Sequence, residues 1–119
     1  AGRVLFMSTG VARNWKAHTG AYAASKAAAD AIAQIYAVEQ AGGSIRSNIV
    51  NPGPTRTRLR AQAYPQEDPA NLKPAETLLP LLRWLLSADA PHGALIDAEA
   101  HPLVRAEIAR LPVVPKPLR

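Results

Sequence analysis

Two short apolar runs, residues 4–7 and 45–50, bracket an Ala-rich segment, and this arrangement narrows the folds open to the chain. A short continuous run such as VLFM is the pattern of a strand buried in a parallel sheet. Ala is the strongest helix former, so residues 21–40 are expected as a helix. Thr19 stands where an N-cap is needed, and Gly42 supplies the stop. Pro52 and Gly53 end the second strand, because Pro cannot continue a ladder. Residues 54–74 are polar and Pro-rich, a longer loop than most connections, with a helical turn expected near 58–64. A second helix fits residues 75–87, with Pro74 at its first position and Glu76 at its positive end. Leu78, Leu79, Leu82, Leu85 and Leu86 give its apolar stripe, and Pro80 is expected to kink it. Residues 93–97 read as a third strand. The order predicts an α/β chain with about three strands, organised as one unit over residues 1–100. A Pro-rich tail over 101–119 follows, with an amphipathic stretch at 104–111.

The size and composition agree with this. At 119 residues, 48% hydrophobic and 19% charged, the chain reads as one small globular domain. The lack of Cys excludes disulfides and thiolate metal sites and suits a reducing cytoplasm, the expected location. His18, His92 and His101 show no ligand spacing, so no metal is expected. No run approaches the roughly 20 apolar residues of a membrane span. The net charge of +5 is spread along the chain apart from Arg56, Arg58 and Arg60. No zinc finger or basic recognition motif accompanies it, so neither nucleic acid nor membrane is expected as a partner. The three arginines are expected in a solvated loop. Trp15 and His18, in the loop over residues 8–20, either line the mouth of a cleft or pack down as loop anchors.

Tyr22 and Lys26, in GAYAASKAAAD, lie four residues apart, which sets a phenol and an ammonium on one helix face. A free phenol ionises near pH 10 and is a poor proton carrier at neutrality; a nearby cation favours the phenolate. A phenol tuned in this way passes a proton to or from a carbonyl or alcohol oxygen. Alone, the spacing is that of many ordinary helices in which Tyr is core and Lys is solvated. Upstream, however, GRVLFMSTG ends in Ser8, Thr9 and Gly10, and downstream SIRSNIVNPGPTRT ends in Pro52, Gly53 and two threonines.

In that order, from about Gly2 to about Ala98, the chain resembles the short-chain dehydrogenase/reductase family. GAYAASKAA, NPGPTRTRLR and AYPQEDP are most similar to a bacterial YciK-like subgroup. The resemblance implies the C-terminal half of a Rossmann-like doubly wound parallel sheet that binds NAD or NADP, with NADP favoured. It implies that Tyr22 is the acid in carbonyl reduction and the base in alcohol oxidation. Lys26 would hold the ribose hydroxyls and favour the ionised phenol. Thr9, thirteen positions before Tyr22, stands where the family usually has a Ser that holds the substrate oxygen. Ser8 is its neighbour on the opposite strand face, and the choice between them stays open with Thr9 preferred. Pro52 and Gly53 would form the wall beside the nicotinamide. Thr55 would hold the carboxamide through its backbone, and Thr57 would add a hydroxyl. Pro54, without an N–H, would act by shape alone. Ser25 reads as a helix-surface hydroxyl.

The same resemblance places elsewhere the Gly-rich turn that holds the pyrophosphate, and an Asn of the family's usual site. The chain therefore reads as a fragment or truncated product, with little or no turnover expected from these residues alone. Partners implied are a small carbonyl or alcohol substrate and either a second copy or a separate N-terminal half. In the family, the Ala-rich helix commonly packs on its own copy. Ala24, Ala28 and Ala31 form a small-residue stripe, and Ile32, Ile35 and Tyr36 a bulky one. The competing reading is a non-catalytic dimerisation module.

Overall fold

The computed structural model describes residues 1–112. Strand β1 (Gly2–Met7) runs into a 3-10 turn at Gly10–Ala12 and then the long helix α1 (Gly20–Glu39). Strand β2 (Ile45–Asn51) returns beside β1. Next come a two-residue strand β3 (Thr55–Arg56), helix α2 (Arg58–Ala63) and a second short strand β4 (Lys73–Pro74). A 3-10 turn at Ala75–Leu78 leads directly into α3 (Leu79–Leu86), and β5 (Leu95–Asp97) and α4 (Pro102–Ala109) complete the described chain.

The main sheet is parallel, in the order β1-β2-β5, with Met7 beside Val50 and Val50 beside Ile96. Central β2 is buried from Ser47 to Val50, whereas β1, expected to be buried, is only half-buried. Among the described residues β1 has a strand on one side alone, which leaves its other edge open. β3 and β4 pair in parallel as a separate two-stranded sheet that joins the two ends of the long loop.

α1 forms as the Ala content predicts, but its two ends differ in mechanism. Gly42 adopts φ +78°, the left-handed conformation that stops helices. Thr19 occupies the N-cap position without capping: its hydroxyl donates backward to the Lys16 carbonyl at 2.7 Å. The face turned to the sheet carries Ala23, Ala33 and Ala37. Ala24, Ala28 and Ala31 are exposed. The bulky stripe divides: Tyr36 meets Phe6 of β1 edge-to-face at 6.2 Å, while Ile32 and Ile35 face solvent.

The expected helix over 75–87 is split. Pro80 lies in the first turn of α3, where its missing N–H costs nothing, so it marks a boundary rather than an interior kink. Pro74 precedes the 3-10 turn as its cap. Leu78, Leu81 and Leu85, at helical spacing, are buried, and Leu79 and Leu86 are exposed. These leucines join Val50, Ala98 and Val104 in the core. Each fully buried Leu contributes about 1.5–3 kcal/mol. Val104 belongs to the stretch expected as a tail, yet it is completely buried on α4. The rest of that tail, residues 113–119, lies outside the described residues. No helix among the described residues is long and apolar enough to cross a membrane.

Candidate active site

Because β1 and β2 are parallel neighbours, the residues that leave their C-terminal ends emerge side by side. The Ser8 N–H donates to the Val50 carbonyl at 2.8 Å, which fixes that junction. In open α/β sheets ligands bind outside these carboxyl ends. Ser8 is buried and its Oγ has no hydrogen-bond partner. Thr9 is extended, only partly buried, and opens the Gly10–Ala12 turn. Of the two residues, Thr9 is the more exposed.

α1 crosses above this junction. The Lys26 Nζ donates to the Met7 carbonyl at 3.3 Å, tying the helix to the last residue of β1. That bond uses one of three ammonium protons. Tyr22, one turn earlier, is half-exposed, and its hydroxyl makes no hydrogen bond among the described residues. Ser25 donates to the Tyr22 carbonyl at 2.8 Å, a local helix contact. Trp15 and His18 are exposed, which removes the packed-anchor reading; His18 holds a left-handed φ of 65°.

At the end of β2, Asn51 organises the turn. Its Oδ1 accepts from the Gly53 N–H at 3.1 Å, and its Nδ2 donates to Asp97 Oδ1 at 2.9 Å. Gly53 has φ +69°, and a Cβ there would meet the Glu99 side chain at 2.7 Å. Pro52 precedes it, and the buried Thr55 donates its hydroxyl to the Gly53 carbonyl at 3.0 Å. Pro54 contributes more than shape: its carbonyl accepts from Lys73 Nζ at 2.7 Å. The Thr57 hydroxyl caps α2 by accepting from the Arg60 N–H at 3.1 Å.

Lys73 is 1% exposed and also donates to Glu99 Oε1 at 2.8 Å. Burial pushes the ammonium's pKa below its ordinary value, and the hydrogen bond and charge of Glu99 oppose that shift. Arg13 links three elements, reaching Asp30 of α1 and Asp97 of β5, each at 3.3 Å. Of the three loop arginines, two are engaged by their own loop. Arg56 donates to the Pro69 and Leu72 carbonyls. Arg60 makes two bonds to Glu67, at 2.7 and 2.9 Å, and lies 3.9 Å above the Tyr64 ring. This contact raises the Arg60 pKa and lowers that of Glu67, chiefly through the hydrogen bond. Arg58 is exposed.

The structure thus gathers Thr9, Lys26, Pro52 and Gly53 at adjoining strand ends, with Tyr22 on the helix turn above. Two open clefts of about 380 and 300 Å³ flank α1 instead, and neither is lined by Tyr22, Lys26, Thr9 or Pro52. Asn51, Arg13, Lys73 and Glu99 are absent from the sequence reading. Asn-Pro-Gly is a recognisable turn signal in which Asn bonds the backbone two residues on. Nothing local marks Lys73 as buried, since LKPAE reads as a solvated helix start.

The family model described as enoyl-(acyl carrier protein) reductase matches residues 1–94. Over 102 residues, 86% of the chain, the sequence is 41% identical to the uncharacterized oxidoreductase YciK of Escherichia coli K12, of which it covers 40%. A chloroplastic NADPH-dependent aldehyde reductase 2 of Arabidopsis thaliana is 41% identical over 58 residues, 49% of this chain and 21% of that one. Among solved structures, a short chain dehydrogenase from Escherichia coli CFT073 complexed with NADPH has a TM-score of 0.75 and 41% identity. That similarity covers 80% of this chain and 40% of the other. A Shigella flexneri 2a short chain dehydrogenase complexed with NADP gives 0.75 at 42% identity, again over 80% and 40%. The chain spans about 40% of the length of these bacterial relatives. Through the family match over most of its residues, and through the parallel sheet it has in common with these structures, the chain belongs to the short-chain dehydrogenase/reductase family.

Proposed function

We propose that this chain supplies the proton-transfer group and the nicotinamide-side contacts of an NADP-dependent oxidoreductase that interconverts a carbonyl compound and an alcohol. The observation that carries the reading is the tie of Lys26 to the Met7 carbonyl. It sets the Tyr22–Lys26 helix over the strand end from which Thr9 leaves. The bacterial relatives solved with NADPH and NADP, and the NADPH-dependent reductase of Arabidopsis, favour NADP over NAD.

The donor set fits a nicotinamide nucleotide in kind. Lys26 keeps two ammonium protons for ribose hydroxyls, and the backbone from Gly53 to Thr55 would offer its polar groups to the carboxamide beside Pro52. When bound, the nicotinamide gives or takes the hydride. Tyr22 Oη donates its proton to the carbonyl oxygen during reduction and takes it back from the alcohol during oxidation. The Thr9 hydroxyl holds that oxygen. Pro52 and Gly53 form the wall beside the ring, the Thr55 backbone holds the carboxamide, and Thr57 adds its remaining O–H. Ser8, with its hydroxyl enclosed, supports the strand end without touching substrate.

The test is a titration of the 119-residue chain with NADPH and NADH, following nicotinamide fluorescence, beside Lys26→Ala. The expected result is saturable NADPH binding weakened about tenfold or more in the variant, the loss typical of charge-assisted hydrogen bonds. A folded chain that does not bind, or binding indifferent to the substitution, overturns the reading.

A further inference from the structure

The turn proposed to face the nicotinamide is gripped from two sides by residues far away in sequence. Lys73 Nζ donates to the Pro54 carbonyl at 2.7 Å, and Pro54 sits between Gly53 and Thr55. The same ammonium donates to Glu99 Oε1 at 2.8 Å. Glu99 in turn lies against Gly53, so closely that an added Cβ would come within 2.7 Å of its Cδ and 2.9 Å of its Cγ. Backbone pairing adds a third tie, because Thr55 of β3 stands beside Lys73 of β4.

Such a lysine is costly as mere scaffolding. Its side chain is 1% exposed, and removing an ammonium from water carries a penalty that only good partners offset. Both partners are oxygens at charge-assisted distances, and one is a main-chain carbonyl of the turn itself. An alkyl side chain would fill the space without that penalty. What the ammonium adds is direction: it fixes the Pro54 carbonyl, and so the plane of the peptide that carries the Thr55 N–H.

Resting on the reading of the turn given above, we propose that Lys73 and Glu99 are positioning residues for the carboxamide end of the nicotinamide cofactor. They act through the backbone from Gly53 to Thr55 and touch neither cofactor nor substrate. Glu99 holds the ammonium and covers the glycine, and Lys73 holds the carbonyl.

The test compares NADPH with its reduced thionicotinamide analogue, in which sulfur, a weak acceptor, replaces the carboxamide oxygen that the Thr55 N–H would meet. Binding of each is measured for the 119-residue chain and for Lys73→Met, Glu99→Ala and Glu99→Gln. The unsubstituted chain is expected to prefer NADPH about tenfold, the scale of one lost hydrogen bond in an aligned site. Lys73→Met and Glu99→Ala bring that ratio toward one. Glu99→Gln, which retains an oxygen acceptor for Lys73, restores most of it. Should Lys73→Met fail to fold, Glu99→Ala decides, since that side chain is half-exposed. A loss equal for both nucleotides, with the ratio unchanged, marks a purely structural pair and overturns the inference alone. No NADPH binding by the unsubstituted chain removes the underlying reading and the inference with it.

Discussion

Ser8 is buried, and its neighbour Thr9 is only partly so. The Ser8 Oγ is buried without a partner, so it is desolvated and gains nothing in return. Replacing it by Ala is expected to leave the melting temperature unchanged or raise it, by up to about 1 kcal/mol of stability. A clear drop in Tm for Ser8→Ala would show that the hydroxyl has a partner after all. Glu67 gives a prediction about pH. Its pKa is held below the ordinary value of 4.5 by the Arg60 hydrogen bond. Above that ordinary value the carboxylate is charged in both folded and unfolded chains, and the bridge contributes fully. As pH falls below it, the unfolded chain takes up protons first, and the contribution is lost through the lowered folded-state value. The pair is partly solvated, so its worth is about 0.2–1 kcal/mol. Glu67→Gln should therefore lower stability at neutral pH and flatten the acid limb; parallel acid-denaturation curves would count against the bridge.

Two glycines separate backbone strain from crowding at the level of the element. Gly42 and Gly53 both have positive φ, at 78° and 69°. Around Gly42 nothing lies within 4 Å of an added Cβ, whereas at Gly53 the Glu99 side chain does. Gly42→Ala should cost about 1 kcal/mol, the strain of a left-handed Ala at a helix stop. Gly53→Ala should cost more, and measured in a Glu99→Ala background its cost should fall to about that of Gly42→Ala. Equal melting temperatures for the two single variants would mean that Glu99 simply moves aside. The helix over 75–87 teaches a related lesson. Its leucines suit an α-helix throughout, but Pro80 sets where the α-helix begins, and a 3-10 turn precedes it.

Across the whole molecule, one core ties the sheet to both C-terminal helices. Val50 of β2, Leu81 and Leu85 of α3 and Val104 of α4 are each completely buried. Leu81→Ala should cost about 2–5 kcal/mol by removing packed methyl groups and leaving a cavity. Val104→Asp places a carboxylate in that core and should prevent cooperative thermal unfolding. A chain that still melts normally would show α4 to be detachable. The outer surface has the opposite character. Ile32 and Ile35 are 63% and 58% exposed on α1, and the apolar strand β1 has an open edge among the described residues. Such surfaces favour association. The chain is expected to sediment as an oligomer, and Ile32→Lys with Ile35→Lys should shift it toward monomer. A monodisperse parent monomer removes this expectation.

The sequence by itself determined the order of the three strands of the main sheet, the long helix with its Tyr22–Lys26 pair, the turn at Pro52 and Gly53, and through them the family. These are local properties: apolar runs, Ala propensity, proline and glycine geometry, and short spacings act within a few residues of chain. Only the tertiary structure decided that β2 is central and that β1 is an edge among the described residues, that Ser8 is enclosed while Thr9 is partly exposed, and that the expected tail helps fill the core. The same holds for Lys73 and Glu99. Their meeting beneath Pro54 depends on β4 pairing with β3 and on the turn after β5 returning to the end of β2. Burial and charge pairing across such distances follow from the packed fold, and no local pattern of residues records them.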